Sequence, residues 1–211
     1  RGFRWSEPTW LDQDLFPGWL VCVREAHEGP SAEARGEAAN ELVALPLDGS
    51  AAEDPSKVVI LATGSDFVHS PTVGGDRLAW IRWDHPRMPW EGTELVLATI
   101  ESAGGVPTGT TDELVVAGGP EESIVQPGFT DAGDLVFLSD RTGWWAPYRA
   151  CEEELPRTPH HRPDPSRARP DLDWGIDGRP PQPAADPVLA GHVEAEIGGP
   201  LWVGGLRWWT E

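Results

Sequence analysis

Ser65–Gly119 reads SDFVHSPTVGGDRLAWIRWDHPRMPWEGTELVLATIESAGGVPTGTTDELVVAGG. Four short apolar runs lie inside it: one opening at Phe67–Val68, then Arg77–Trp83, Glu94–Ile100 and Glu113–Ala117. Clusters of Gly, Pro, Asp and Thr separate them. Brief strands with turn chemistry between each predict an antiparallel meander. One sheet of ~4 strands does not enclose a core alone, so the pattern requires neighbours of the same kind.

Working outward, those neighbours are present. Asp66-Phe67-Val68-His69-Ser70-Pro71 is echoed by Ser123-Ile124-Val125-Gln126-Pro127, with Ile124 standing 57 residues after Phe67. Arg77-Leu78-Ala79-Trp80-Ile81 is echoed at the same spacing by Asp134-Leu135-Val136-Phe137-Leu138. Glu194–Trp202 opens a further copy. A four-strand unit recurring at this interval predicts a β-propeller, whose blades stack around a channel. The expected fold is therefore all-β, a partial propeller of about three to four four-stranded antiparallel blades. The units expected are 6–64, 65–119, 120–191 and the start of another at 192–211.

Toward the N-terminus, Gly2–Trp5 reads as the tail of an earlier blade. Trp19–Glu25, Asn40–Leu47 and Val58–Ala62 read as strands, with the polar residues 27–39 as a loop. Toward the C-terminus, Ser123–Phe129, Leu135–Ser139 and Trp145–Cys151 read as strands. Residues 152–187 hold nine of the 22 prolines and few aliphatics. Such a composition does not bury enough apolar area to form a core element, so it is expected to be a long Pro-rich insertion, with Asp171–Trp174 a candidate docked piece. The chain starts at Arg1 and stops inside a unit after Trp208-Trp209, which reads as truncation at both ends.

The formal charge of −19 argues against nucleic acid and against an anionic membrane surface, since both favour a basic face. The 12 Trp and 24 Gly suit a sheet-rich repeat. Lys57 is the chain's lone lysine and reads as compositional bias. Cys22 and Cys151 form neither a disulfide framework nor a metal motif, and Cys22 reads as a small buried apolar group. No run approaches ~20 apolar residues, and no signal peptide is visible.

One motif is distinctive. Trp83-Asp84-His85-Pro86-Arg87-Met88-Pro89-Trp90-Glu91-Gly92 resembles a Trp-Asp-His-Pro-x-Met-Pro-Trp signature in the propeller of the prolyl oligopeptidase family, in its dipeptidyl-peptidase and acylaminoacyl-peptidase branch. Ser139-Asp140-Arg141-Thr142-Gly143-Trp144-Trp145-Ala146-Pro147-Tyr148-Arg149 is similar to a second segment of that propeller, and Ala117–Gly119, Glu122-Ser123 and Gln126-Pro127 fit between them. The likeness is strongest over residues 58–150. Two turns depart from it: Val73–Asp76 and Thr130–Gly133 stand where Ser-Pro-Asp-Gly is usual.

The resemblance implies a cytoplasmic serine peptidase in which the propeller caps an α/β-hydrolase domain, takes peptide substrates and uses no cofactor. No Gly-x-Ser-x-Gly nucleophile elbow occurs in the 211 residues, so catalytic residues and metal ligands are expected to be none. The rival readings are a free-standing propeller that binds a ligand or protein, and a periplasmic Tol-type propeller.

In an up-and-down meander the second-to-third loops and the blade-to-blade links emerge at one end. That end would carry Asp66, Asp84, His85, Arg87, Trp90, Glu121, Glu122, Asp140 and Arg141, as a substrate-access or interdomain face. The plainer reading is structural: Pro86 and Pro89 stiffen a loop whose Trp83, Met88 and Trp90 pack between blades, and Asp140 with Arg141 clasps a turn. Glu152–Glu154 reads as a solvated charge run, and the adjacent His160-His161 with Asp164 lie in a Pro-rich loop without a further well-spaced ligand for a metal.

Overall fold

The computed structural model describes residues 2–151, 186–187 and 198–200. Three antiparallel sheets follow one another along the chain, each of four strands laid side by side in sequence order. The first holds β1 (Phe3–Trp10), β2 (Trp19–Ala26), β3 (Ala39–Pro46) and β4 (Val59–Ala62). The second holds β5 (Phe67–Gly74), β6 (Arg77–Trp83), β7 (Glu94–Ala103) and β8 (Val106–Gly118). The third holds β9 (Ile124–Phe129), β10 (Leu135–Ser139), β11 (Ala146–Ala150) and β12 (Asp186–Pro187). Of the first strands, β1 lies against β5 and β5 against β9; of the last strands, β4 lies against β8. The sheets are blades, and the fold is a partial β-propeller.

Alternation along the middle blade shows why it needs both neighbours. In β6, Leu78 and Trp80 enter a cluster with Val21 and Leu42 of the first sheet and Phe16 of its β1–β2 loop. Ala79, Ile81 and Trp83 enter a second cluster with Ile124, Leu135 and Phe137 of the third. Both faces of the strand are covered, so its apolar run is continuous where a half-exposed strand would alternate. Each fully buried large side chain contributes roughly 1.5–3 kcal/mol. The stabilisation therefore resides in the seams between blades.

The innermost strands share a device. Register shifts interrupt β1 between Ser6 and Thr9, β5 between His69 and Thr72, and the β9–β10 pairing between Val125 and Gly128. At each shift stands a non-glycine residue in the left-handed region: Glu7 at φ 53, Ser70 at φ 51 and Gln126 at φ 49. Each precedes a proline, Pro8, Pro71 or Pro127. Proline lacks the N–H that a ladder uses and is confined to edges and bulges. An inner edge strand with a bulge supplies both.

Three expectations are corrected. Gly2–Trp5 is not the tail of an earlier blade, because Phe3, Arg4 and Trp5 pair with Ala26, Glu25 and Arg24 as the start of β1. The loop expected at 27–39 contains a helix, α1 (Pro30–Arg35), with Pro30 at its first turn and Gly36 in the left-handed cap at φ 75. The third and fourth strands of the middle blade run further than expected, to Ala103 and back from Val106. A second helix, α2 (Ser50–Glu53), and a 3-10 turn at Pro55–Lys57 link β3 to β4. Most of the Pro-rich insertion, Asp171–Trp174, and the unit expected at 192–211 except 198–200 lie outside the described residues.

Candidate access and interdomain face

The β2–β3, β6–β7 and β10–β11 loops and the two blade-to-blade links converge on one end. Each blade ties its first strand to its second-to-third loop in the same way: the residue preceding the strand donates its N–H to a carboxylate across the loop. Gly2 N–H reaches Glu28 at 3.2 Å, Asp66 N–H reaches Asp84 at 2.6 Å, and Ser123 N–H reaches Asp140 at 2.7 Å.

Asp66 is the hub at the seam of the first two blades. Its Oδ1 pairs with the Arg35 guanidinium at the end of α1. Its Oδ2 accepts the His85 backbone N–H at 2.8 Å and lies 3.1 Å from His85 Nδ1. The His85 backbone N–H is the main influence holding the Asp66 carboxyl below the usual carboxylate range, helped by the His85 ring and Arg35 and opposed by desolvation. Asp66 thus orients the His85 ring, which also rests on Phe67 at 4.9 Å between centroids. The imidazole itself stays 62% exposed.

The loop from Asp84 to Thr93 is held along its length. Arg87 donates its N–H to the Asp84 carbonyl at 3.2 Å, Met88 N–H reaches the Glu91 carboxylate at 2.7 Å, and Ser123 Oγ donates to the Pro89 carbonyl. Gly92 sits so close to the third-blade link that a Cβ there would fall 2.3 Å from the Gly119 carbonyl oxygen. Only a residue without a Cβ fits. Thr93 closes the loop, its hydroxyl accepting the Ile124 N–H at 2.7 Å.

The aromatic residues of this motif divide. Trp83 is buried and stacks on Phe67 at 5.0 Å, as the packing reading requires. Met88 and Trp90 are only partly enclosed, at 42% and 40% exposure, and Trp144 on the β10–β11 loop is 36% exposed. The proline-stiffened loop holds them at the surface because its backbone is anchored at Pro89 and Gly92. Arg87 is half-buried and Glu121 exposed.

At the second seam, Glu122 is 5% exposed and holds Arg141. Arg141 Nε and Nη2 approach Glu122 Oε1 at 2.9 and 2.8 Å, and Ser139 Oγ donates to the same oxygen at 2.6 Å. The guanidinium lies over the Tyr148 ring at 4.4 Å. Asp140 supports the turn through Ser123, whereas Arg141 reaches across to the link; the two neighbours serve different contacts.

One polar cluster escaped the sequence reading. Glu7 and His69 come together at the inner-strand bulges, with His69 Nδ1 3.0 Å from Glu7 Oε1 and 2.8 Å from Ser70 Oγ. Glu7 also accepts the Ser70 N–H at 2.6 Å. Desolvation lowers the His69 pKa to about 4. Cys22 is buried, and desolvation raises its thiol to about 11, as a core cysteine requires. Among the described residues no three His, Cys, Asp or Glu side chains gather as metal ligands, and no helix is long and apolar enough to cross a membrane. Glu152–Glu154, His160, His161 and Asp164 lie outside the described residues.

No family model matches the chain, and no curated protein matches it. Solved structures do. A puromycin hydrolase superposes with TM-score 0.70 and 34% identity, over 98% of this chain and 26% of that one. A point mutant of puromycin hydrolase complexed with PGG gives TM-score 0.71 and 33% identity, over 97% and 25%. A puromycin-hydrolyzing peptidase of Mycobacterium tuberculosis gives 0.64 and 30%, over 95% and 25%. The chain spans about a quarter of the length of each. Blades, motifs and neighbours agree: the chain belongs to the prolyl oligopeptidase family, as a stretch of its β-propeller.

Proposed function

We propose that this stretch caps the α/β-hydrolase domain of a cytoplasmic serine exopeptidase, and that the loop end bearing His85, Trp90 and Arg141 admits short peptides to it and excludes folded protein. The observation that carries the reading is a rigid loop whose apolar side chains keep a large part of their surface open. Met88 and Trp90 stay exposed on a backbone pinned through Asp66, Ser123 and Thr93. Exposed aromatics on a fixed frame are the usual makings of a recognition surface. The matched structures are of hydrolases, one of them complexed with PGG, which supports a peptide-handling role. In such an enzyme the acyl transfer to water would proceed through residues outside this chain, with Asp66 and His85, Glu122 and Arg141 shaping the approach.

Two measurements test this. Reading on past Glu211 in the coding sequence is expected to meet a Gly-x-Ser-x-Gly elbow followed by Asp and His; a stop codon there would favour a free-standing binding module. In the parent protein, Trp90→Ala is expected to lower kcat/KM for short peptides by roughly tenfold, the effect of losing about 1.4 kcal/mol of contact. Unchanged kinetics on both short and long peptides would remove this loop from the access path.

A further inference from the structure

The access loop carries a cation that its surroundings leave unneutralised. The chain has 35 acidic side chains against 16 Lys and Arg, so a basic group seldom lacks a carboxylate. Arg4, Arg24, Arg35, Arg82, Arg141 and Arg149 each form an ion pair with one. Arg87 does not. Its backbone N–H reaches the Asp84 carbonyl at 3.2 Å, but among the described residues its guanidinium has neither an ion pair nor a hydrogen bond.

The carboxylates on either side of it are committed to the backbone. Asp84 accepts the Asp66 N–H at 2.6 Å, and Glu91 accepts the Met88 N–H at 2.7 Å. Asp66 is shared between Arg35 and His85. These acids hold the shape of the loop, and none of them pairs with Arg87. Arg87 itself is half-buried, between Pro86 and Pro89, on a backbone anchored at Pro89 and Gly92. Next to it in the loop, Met88 and Trp90 keep 42% and 40% of their surface open.

A guanidinium offers a planar fork of donors that matches a carboxylate. Set beside open apolar surface, it suits a ligand with a carboxylate at one end and an apolar body next to it. An inorganic anion lacks the body, and an internal stretch of peptide lacks the charge. The last residue of a peptide, when apolar, has both. We propose that Arg87 receives the free C-terminal carboxylate of short peptides, with the last side chain lying against Met88 or Trp90. The inference rests on the access reading above and narrows it: the face recognises a short substrate by finding its far end.

The test is hydrolysis of Ala-Ala-Phe and of its C-terminal amide by the parent protein. The acid is expected to give a kcat/KM roughly tenfold above the amide, as one charge-assisted pair implies. The difference should fall on KM, because such a contact is the same in the bound substrate and in the transition state. Arg87→Gln is expected to erase the ratio, and Arg87→Lys to restore part of it, since lysine brings the charge without the fork. Equal kcat/KM for acid and amide in the wild type would overturn the inference. So would a ratio kept in Arg87→Gln, including a fall of both substrates by one factor, which would assign the guanidinium to a contact with the hydrolase domain. Trp90→Ala separates the two readings. Kinetics that respond to Trp90→Ala but not to Arg87→Gln leave the access face standing and remove this ligand; kinetics that respond to neither remove both.

Discussion

Glu122 has only 5% of its surface exposed, and Arg141 with Ser139 satisfies one carboxylate oxygen. Removing one partner of a nearly buried pair leaves a charge without compensation, which costs more than the pair contributes when intact. Arg141→Ala should therefore destabilise the chain by about 3 kcal/mol, read from urea unfolding. Adding Glu122→Gln should recover part of that loss. His69 gives a second expectation, in pH. Its folded pKa is depressed to about 4, below the ordinary 6.5, so between those values the unfolded chain binds the extra proton. Stability should be constant above pH 6.5 and fall as pH drops from 6.5 toward 4, by on the order of 2 kcal/mol with Glu7 beside the ring. His69→Gln should flatten that slope in a series of melts; an unchanged slope would assign it to other groups. Neither contact was legible in the sequence. Glu122 and Arg141 lie 19 residues apart, and Glu7 and Ser70 lie 63 apart. Nothing local marks such pairs.

Elements were far more legible. The middle blade could be read because Leu78-Ala79-Trp80-Ile81 is apolar on both faces and its turns carry Gly, Asp and Pro. β1 was obscured because its alternation breaks at the Glu7-Pro8 bulge. β8 was obscured because Pro107 and Gly109 depress strand propensity, although pairing with β7 continues through register shifts. α1 had the right signals, Pro30 to start and Gly36 to stop, within a stretch whose small polar residues resemble a loop. The Trp83–Gly92 motif was recognisable, but the partial exposure of Met88 and Trp90 depends on backbone anchors in the next blade. Gly92 is the sharpest test of that anchoring. Gly92→Ala places a Cβ against the Gly119 and Pro120 backbone at 2.3 and 2.6 Å, atoms that do not rotate away. A loss of about 3 kcal/mol and faster amide exchange across Met88–Ile124 are expected; wild-type protection in the variant would show that the loop is not held there.

At the scale of the molecule, the seams do the holding, because each four-stranded sheet is thin and its core is shared with the next. The first blade also displays Phe3, Trp5 and Trp10 at 38%, 47% and 64% exposure. Arg24 covers part of that surface, its guanidinium 5.2 Å from the Phe3 ring and 6.0 Å from the Trp5 ring. Exposed aromatics on a blade favour association in a repeat fold. The melting temperature of this chain should rise with protein concentration, and Trp5→Glu should lower the apparent mass in sedimentation. A single monomeric species with a concentration-independent melt would contradict this.

The prolines at the inner-strand bulges have a consequence for any extended peptide laid along the first strands of the blades. An extended peptide normally sticks to a bare strand by zipping up along its unpaired amides. Here Pro8, Pro71 and Pro127 remove one of those amides from each successive rail, and the kink beside it throws the remainder out of step. A guest chain laid along these strands would meet interrupted rails and would not be knitted into the wall.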